Sequence, residues 1–227
     1  MPRLHRIAEM TSEELSRLER PLLVIPVGSC EQHGEHLPLS TDTLIAEALS
    51  DALATRHPRV VVGPSITVSS SGEHAGFTGT LSIGREATST TLVELVRSAD
   101  WAHDVLFVNG HGGNVAALTH AANLLRSESR SVSVWSPHID GSDAHAGHVE
   151  TSLMLAIAPT LVHMDRARLG SVEPLAELAT RLTTTGVRSV SPNGVLGDPR
   201  SATADEGRRF LSHLVSDLVT HAITHHP

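Results

Sequence analysis

Apolar residues in this chain follow two rhythms. Short, nearly unbroken runs occur at PLLVIPVG (21–28), RVVVG (59–63), DVLFVNG (104–110) and RSVSVWSP (130–137). Between them, Leu, Val, Ile and Ala recur every third or fourth position. The runs, bounded by Gly, Pro or Arg, predict buried strands. The second continues through PSITVSS as a strand extension. The periodic stretches predict helices over 41–57, 86–102, 112–129, 148–159 and 201–225. Thr41 or Asp42 is placed to N-cap the first, and Pro159 stops the fourth. Between the second run and the second helix, GEHAGFTGTLSIG (72–84) is Gly-rich and loop-like, with room for a short strand at GTLSI.

Strand and helix alternate, which predicts an α/β fold: a three-layer α/β/α sandwich around a mainly parallel central sheet. No linker divides the sequence, so one domain is expected over residues 1–227. Residues 160–202 carry no clear period, and VSPNGVLGDP (190–199) is rich in turn formers. That segment is expected to cover the site or to meet another copy of the chain.

Composition removes several function classes. The net charge is −8 and no basic run exists, which argues against a nucleic-acid surface. No apolar stretch approaches the roughly 20 residues of a membrane span. The N-terminal MPRLHRIAEMTSEELSRLERP is polar and lacks the apolar centre of a signal peptide. Cys30 is the single cysteine, so no intrachain disulfide forms, and a cytoplasmic protein is expected. Histidine is the outlier, with 16 copies in a chain without lysine. That is a mild pointer to metal chemistry. The closing THHP is expected to fray.

Ionisable residues concentrate where three of the strands end. In parallel sheets those carboxyl ends share one edge, where sites form. GSCEQHGEHLPLSTD (28–42) follows the first strand. Glu31 and His33 lie two apart, so on extended chain they point the same way, and Asp42 can fold back from the helix start. Two carboxylates and an imidazole suit a divalent transition metal of the zinc, manganese or iron kind, though capping residues would look similar. NGHGGN (109–114) follows the third strand. Its glycines admit close backbone approach around His111. G-x-G-x-x-G fails at Val115, and a Walker loop would need lysine. DAHAGHVETS (143–152) follows the fourth strand and holds Asp143, His145, His148 and Glu150. Glu150 could complete a metal shell, and His145, in a flexible AHAG turn, suits a mobile proton carrier. Asp143 and Glu150 also fit as acids at a helix start. No G-x-S-x-G elbow is present, and Cys30 beside Glu31 is poorly placed to become a thiolate.

These three motifs, in this order, resemble the creatininase family of metal-dependent amidohydrolases, over about residues 20–160. The resemblance implies two divalent metal ions (Zn, Fe or Mn), hydrolysis of a C–N bond, and assembly into homo-oligomers, commonly hexamers. Glu31, His33, Asp42 and His111 match the family's metal ligands, with Asp42 bridging. His145 matches the catalytic histidine and Glu150 the glutamate of its ETS element. Creatininase proper carries a glutamate ligand two residues after the second-motif histidine. Gly113 stands there, so Glu150 is expected to complete the shell. The family's aromatic substrate contact is replaced by DGSDA (140–144), and both departures weigh against creatinine. Glu35 is expected to be a bystander, and His36 to stand behind a ligand or to be structural.

DAHAGHVETSLMLAIAP and GVRSVSPNGVLGDPRSATADEGRRFL narrow the resemblance to the branch that serves mycofactocin biosynthesis. It implies a peptidase that cuts a modified precursor peptide before its C-terminal Val-Tyr pair. The alternatives are a family hydrolase of creatinine or a formamide, or a non-catalytic metal- or peptide-binding protein.

Overall fold

The structure, a computed structural model, describes residues 5–226. In chain order it holds α1 (Ser12–Ser16), β1 (Leu22–Val27), α2 (Thr41–Ala54), β2 (Val60–Val62), α3 (Gly84–Ser98), β3 (Asp104–Asn109), α4 (Val115–Ser127), β4 (Val132–Trp135), α5 (His148–Ile157), α6 (Leu175–Thr185), α7 (Val187–Val190) and α8 (Ala204–His225). The four strands form one sheet in the order β2-β1-β3-β4, every pair parallel.

Alternation along the strands divides the core in two. Leu22 and Val24 of β1, Val60 and Val62 of β2, and Leu106 and Val108 of β3 face α2, α5 and α8. Leu23, Ile25 and Val27, with Val105 and Phe107, face α3 and α4. Both faces are covered, so the strands read as continuous apolar runs, and the three-layer α/β/α sandwich is observed. Each fully buried Leu or Phe contributes about 1.5–3 kcal/mol. A proline in a central strand would normally cost a ladder bond. Pro26 escapes because β2 has already ended on that side; its carbonyl takes the Ile66 N–H at 2.9 Å.

Four local expectations change. β2 is only three residues long, because Gly63-Pro64 turns the chain; beyond it, Ile66 and Ser69 make isolated bridges to Val27 and Ser82. The GTLSI stretch is likewise limited to bridges, Cys30 with Leu81 and Ser69 with Ser82. Residues 160–202 contain α6, whose Leu178 is fully buried beside Val187 and Leu196. Of the closing THHP, His226 is buried with its Nε2 2.6 Å from Ser133 Oγ, and Pro227 lies outside the described residues. No described helix is long and apolar enough to cross a membrane.

Candidate metal centre

The carboxyl ends of β1 and β3 approach the start of α2 closely. A Cβ on Gly110 would lie 2.3 Å from the Asp42 carbonyl oxygen, so only glycine permits that approach. Asp42 is therefore not a cap. Ser40 precedes the helix without a side-chain cap, and Asp42 sits in the first turn with its carboxylate turned into the site. There Oδ2 accepts from Ser29 Oγ at 2.7 Å and lies 3.1 Å from His111 Nδ1, while Oδ1 lies 3.0 Å from His33 Nε2. Each carboxylate oxygen thus faces one histidine.

Backbone carbonyls set the histidine tautomers, since a carbonyl can only accept. His33 Nδ1 lies 3.2 Å from the Glu31 carbonyl, His111 Nε2 3.0 Å from the Ser70 carbonyl, and His145 Nε2 2.8 Å from the Gln32 carbonyl. Each ring therefore spends one N–H on backbone and turns its other nitrogen toward carboxylates. This is how a metal-binding imidazole is oriented from behind.

Glu31, fully buried, forms the other half. Its Oε1 lies 3.3 Å from His74 Nε2 and 3.7 Å from His145 Nδ1, and its Oε2 3.2 Å from His111 Nε2, yet neither oxygen receives a well-formed hydrogen bond. Glu150 Oε2 accepts from the Ala146 N–H at 2.6 Å and lies 3.8 Å from His33 Nε2. The structure so brings together all six sequence-predicted residues: Glu31, His33, Asp42, His111, Glu150 and His145. Three subsets place ligand atoms within metal-binding reach of one another: Glu31 with Asp42 and His111, His33 with Asp42 and Glu150, and Glu31 with His33 and His145.

The electrostatics show what the cluster needs. Burial drives the Glu31 carboxyl up to about 8, with His111 opposing and Asp42 adding to the rise. Burial likewise lifts Glu150 to about 7, against the pull of His33. Burial resists charge on Asp42 too, but His33 and His111 outweigh it and hold the carboxyl well below its usual range. Burial disfavours charge on His33, yet Asp42 overrides it and raises the ring to about 9. Burial, then the nearby His33 and His74, push His145 well below the ordinary histidine value. The cluster thus holds protons on groups that normally lack them. Orphaned buried carboxylate oxygens, imidazole nitrogens aimed at carboxylates and a mixed N/O donor set all fit divalent metal in place of those protons.

The remaining residues separate cleanly. Asp143 is structural: Oδ2 accepts from His148 N at 2.8 Å and Asp198 N at 3.0 Å, tying the start of α5 to the 190–199 segment. His148 faces outward toward Glu206, 3.4 Å away. Glu35 is exposed, and His36 Nε2 pairs with Thr151 Oγ1 at 2.9 Å. The turn that carries His145 is tied down, its backbone bridged to Leu196 in both directions. The 190–199 segment does cover the site: the Gly194 carbonyl accepts from Gln32 Nε2 at 2.9 Å.

Sequence reasoning missed Glu73, His74, Gln32 and Asn114. Gln32 Nε2 donates to His74 Nδ1 at 2.9 Å, which leaves the His74 proton on Nε2, toward Glu31. Asn114 Nδ2 donates to the Gly28 carbonyl at 3.0 Å and its Oδ1 accepts from Ser70 N at 3.2 Å, joining three strand-end loops. The usable signal was positional: the Glu73-His74 pair lies in the loop after β2, at the same sheet edge as the other three clusters.

Beside the cluster, a cavity of about 260 Å³ opens between the ends of β3 and β4 and helices α2 and α5. Ile45, Val115, Ile139, Val149 and Leu214 form the apolar part of its wall, His111 and Glu150 border it, and no described arginine lines it. Arg200, Arg208 and Arg209 instead face Asp198, Asp205 and Glu206 on the surface.

Comparison with known proteins follows the same lines. The family profile described as creatininase, creatinine amidohydrolase, matches residues 8–222. A mycofactocin precursor peptide peptidase from Mycobacterium ulcerans (strain Agy99) is 48% identical over 229 residues, covering 97% of this chain and 91% of that protein. The protein of the same name from Mycolicibacterium smegmatis is 47% identical over 213 residues, covering 91% and 85%. Creatinine amidohydrolase from Pseudomonas putida is 29% identical over 177 residues, covering 64% and 67%. Among solved structures, a manganese creatininase superposes with a TM-score of 0.83 at 24% identity, over 99% of this chain and 100% of that one.

Proposed function

The chain belongs to the creatininase family and is a hydrolase acting on C–N bonds; from that premise we propose that it is the metal-dependent peptidase that matures the mycofactocin precursor. In this reading it cleaves the modified precursor before its C-terminal Val-Tyr pair and releases the product derived from those two residues. One observation carries the assignment: 48% identity across 97% of the chain to a mycofactocin precursor peptide peptidase, against 29% across 64% to a creatinine amidohydrolase.

Glu31, Asp42 and His111 would hold one divalent ion, and His33, Asp42 and Glu150 a second, with Asp42 common to both sets. When bound, such ions lower the pKa of water toward neutrality and polarise the scissile carbonyl. His145 supplies the proton traffic. Its Nε2–H is committed to the Gln32 carbonyl, so Nδ1 is the working nitrogen. With its pKa depressed, Nδ1 starts unprotonated at neutral pH, takes the proton of the attacking water and delivers it to the departing amine nitrogen. Gln32 and the Leu196 bridge hold the ring for that transfer. The cavity beside Glu150 would take the released end, and no described arginine lines it to meet a free carboxylate. The chain is further proposed to assemble into a homo-oligomer, a hexamer as in its family.

The test is incubation of metal-loaded protein with the modified precursor, followed by mass spectrometry. Loss of the Val-Tyr-derived fragment is expected. A precursor left intact with zinc, iron and manganese alike refutes the peptidase assignment.

A further inference from the structure

Gly113 is hemmed in by polar groups rather than apolar ones. A Cβ added there would lie 2.3 Å from Glu73 Oε1, 2.4 Å from His111 Nε2 and 2.6 Å from the Ser70 carbonyl oxygen. The missing side chain leaves the volume in which those three groups meet. Glu73 comes from the loop after β2, 38 positions before His111 if one counts along the sequence. Its side chain is 28% exposed, with Oε1 3.5 Å from His111 Nε2.

His111 has two faces. Nδ1 looks at Asp42 Oδ2 at 3.1 Å, and Nε2 looks at the Ser70 carbonyl at 3.0 Å, Glu31 Oε2 at 3.2 Å and Glu73 Oε1 at 3.5 Å. The carbonyl keeps the proton on Nε2, which leaves Nδ1 for a metal shared with Asp42. Glu31 belongs to the same ligand subset as Asp42 and His111, so as a ligand it would be committed to the ion and not to Nε2. Glu73 is then the carboxylate that stays behind the ring.

We infer that Glu73 is the positioning carboxylate of His111. It stands at Nε2 on the side away from Asp42, and Gly113 is glycine because that carboxylate, the Ser70 carbonyl and the ring occupy the space. A carboxylate behind a ligating imidazole fixes the ring and makes the opposite nitrogen a stronger donor. Glu73 acts only through His111 and touches no reacting atom.

The inference rests on the metal-centre reading above, and the experiment separates the two. Chelator-stripped wild-type, Glu73→Gln and Gly113→Ala proteins are titrated with Zn(II) and with Mn(II) against a competing chelator. The melting temperature of each metal-free protein is measured alongside. In Glu73→Gln, one metal equivalent should bind about 10–100-fold more weakly, the usual effect of losing such a partner. The other equivalent should match wild type, and any fall in the metal-free melting temperature, since Glu73 also faces His111 there, should leave that equivalent untouched. Gly113→Ala, which pushes on both Glu73 and the ring, should weaken the same equivalent. Wild-type affinity for both equivalents in Glu73→Gln overturns the inference, as does a uniform loss that follows a lowered metal-free melting temperature. Wild-type protein that takes up neither metal would instead sink the metal-centre reading itself.

Discussion

Asp42→Asn is the sharpest perturbation of this centre, because it keeps the shape of the side chain and removes the charge that both His33 and His111 face. In metal-free protein the magnitude follows from His33. Its folded value of about 9 against an ordinary 6.5 makes the protonated ring worth about 2–3 kcal/mol at pH 7, at about 1.4 kcal/mol per unit. The sign is fixed by the direction of the shift. A raised histidine contributes fully below about 6.5, and the contribution is lost as pH rises through about 9. His111, also raised, adds in the same sense, and breaking a buried pair costs roughly 3–5 kcal/mol in all. For a chain of this size each kcal/mol moves the midpoint by about 2–4 °C, so a fall of roughly 6–20 °C is expected. Thermal melts of chelator-treated wild type and Asp42→Asn at pH 7 should show that gap, and melts near pH 9.5 should show the part owed to His33 gone. Metal analysis of the untreated variant should find the site empty, because both proposed ligand sets lose a member. A variant that melts with wild type at pH 7, or that keeps its metal, refutes both the pairing and the bridging role.

Two other expectations follow from the same geometry. His145→Ala should keep its metal content and lose about 10²–10⁴-fold in turnover if Nδ1 carries the proton; metal loss on inductively coupled plasma analysis would make His145 a ligand instead. His36, depressed to about 4 chiefly by burial and then by His33, contributes stability that is complete above about 6.5 and is lost as pH falls toward 4. Metal-free His36→Gln should therefore be less stable than wild type at pH 7, and the difference should narrow by about 2 kcal/mol, after allowance for solvent screening, between pH 6.5 and 4; denaturant melts that give a constant difference would contradict the assignment.

The amphipathic and apolar patterns were sufficient for the four strands, their parallel order of layers and most of the helices, because burial on both faces leaves a periodic mark on the sequence itself. Even α6 left one, in Leu175, Leu178 and Leu182, but its flanking SVEP and TTT obscured it. The sequence also placed Glu31, His33, Asp42, His111, His145 and Glu150 at strand ends that share an edge. It could not assign their atoms. Which nitrogen of each ring is free depends on the Glu31, Ser70 and Gln32 carbonyls, and a carbonyl's direction is set by backbone conformation, not residue type. Nor could it join Glu73 to Gly113 and His111, since a charged residue in a Gly-rich loop has no period to betray it. Only the folded chain shows that the side chain absent at Gly113 leaves space for the carboxylate of Glu73. Sequence determined which elements form and where chemistry gathers, through local burial. Tertiary structure decided which groups touch, because those contacts join residues that lie far apart in the chain and meet only when the sheet has formed.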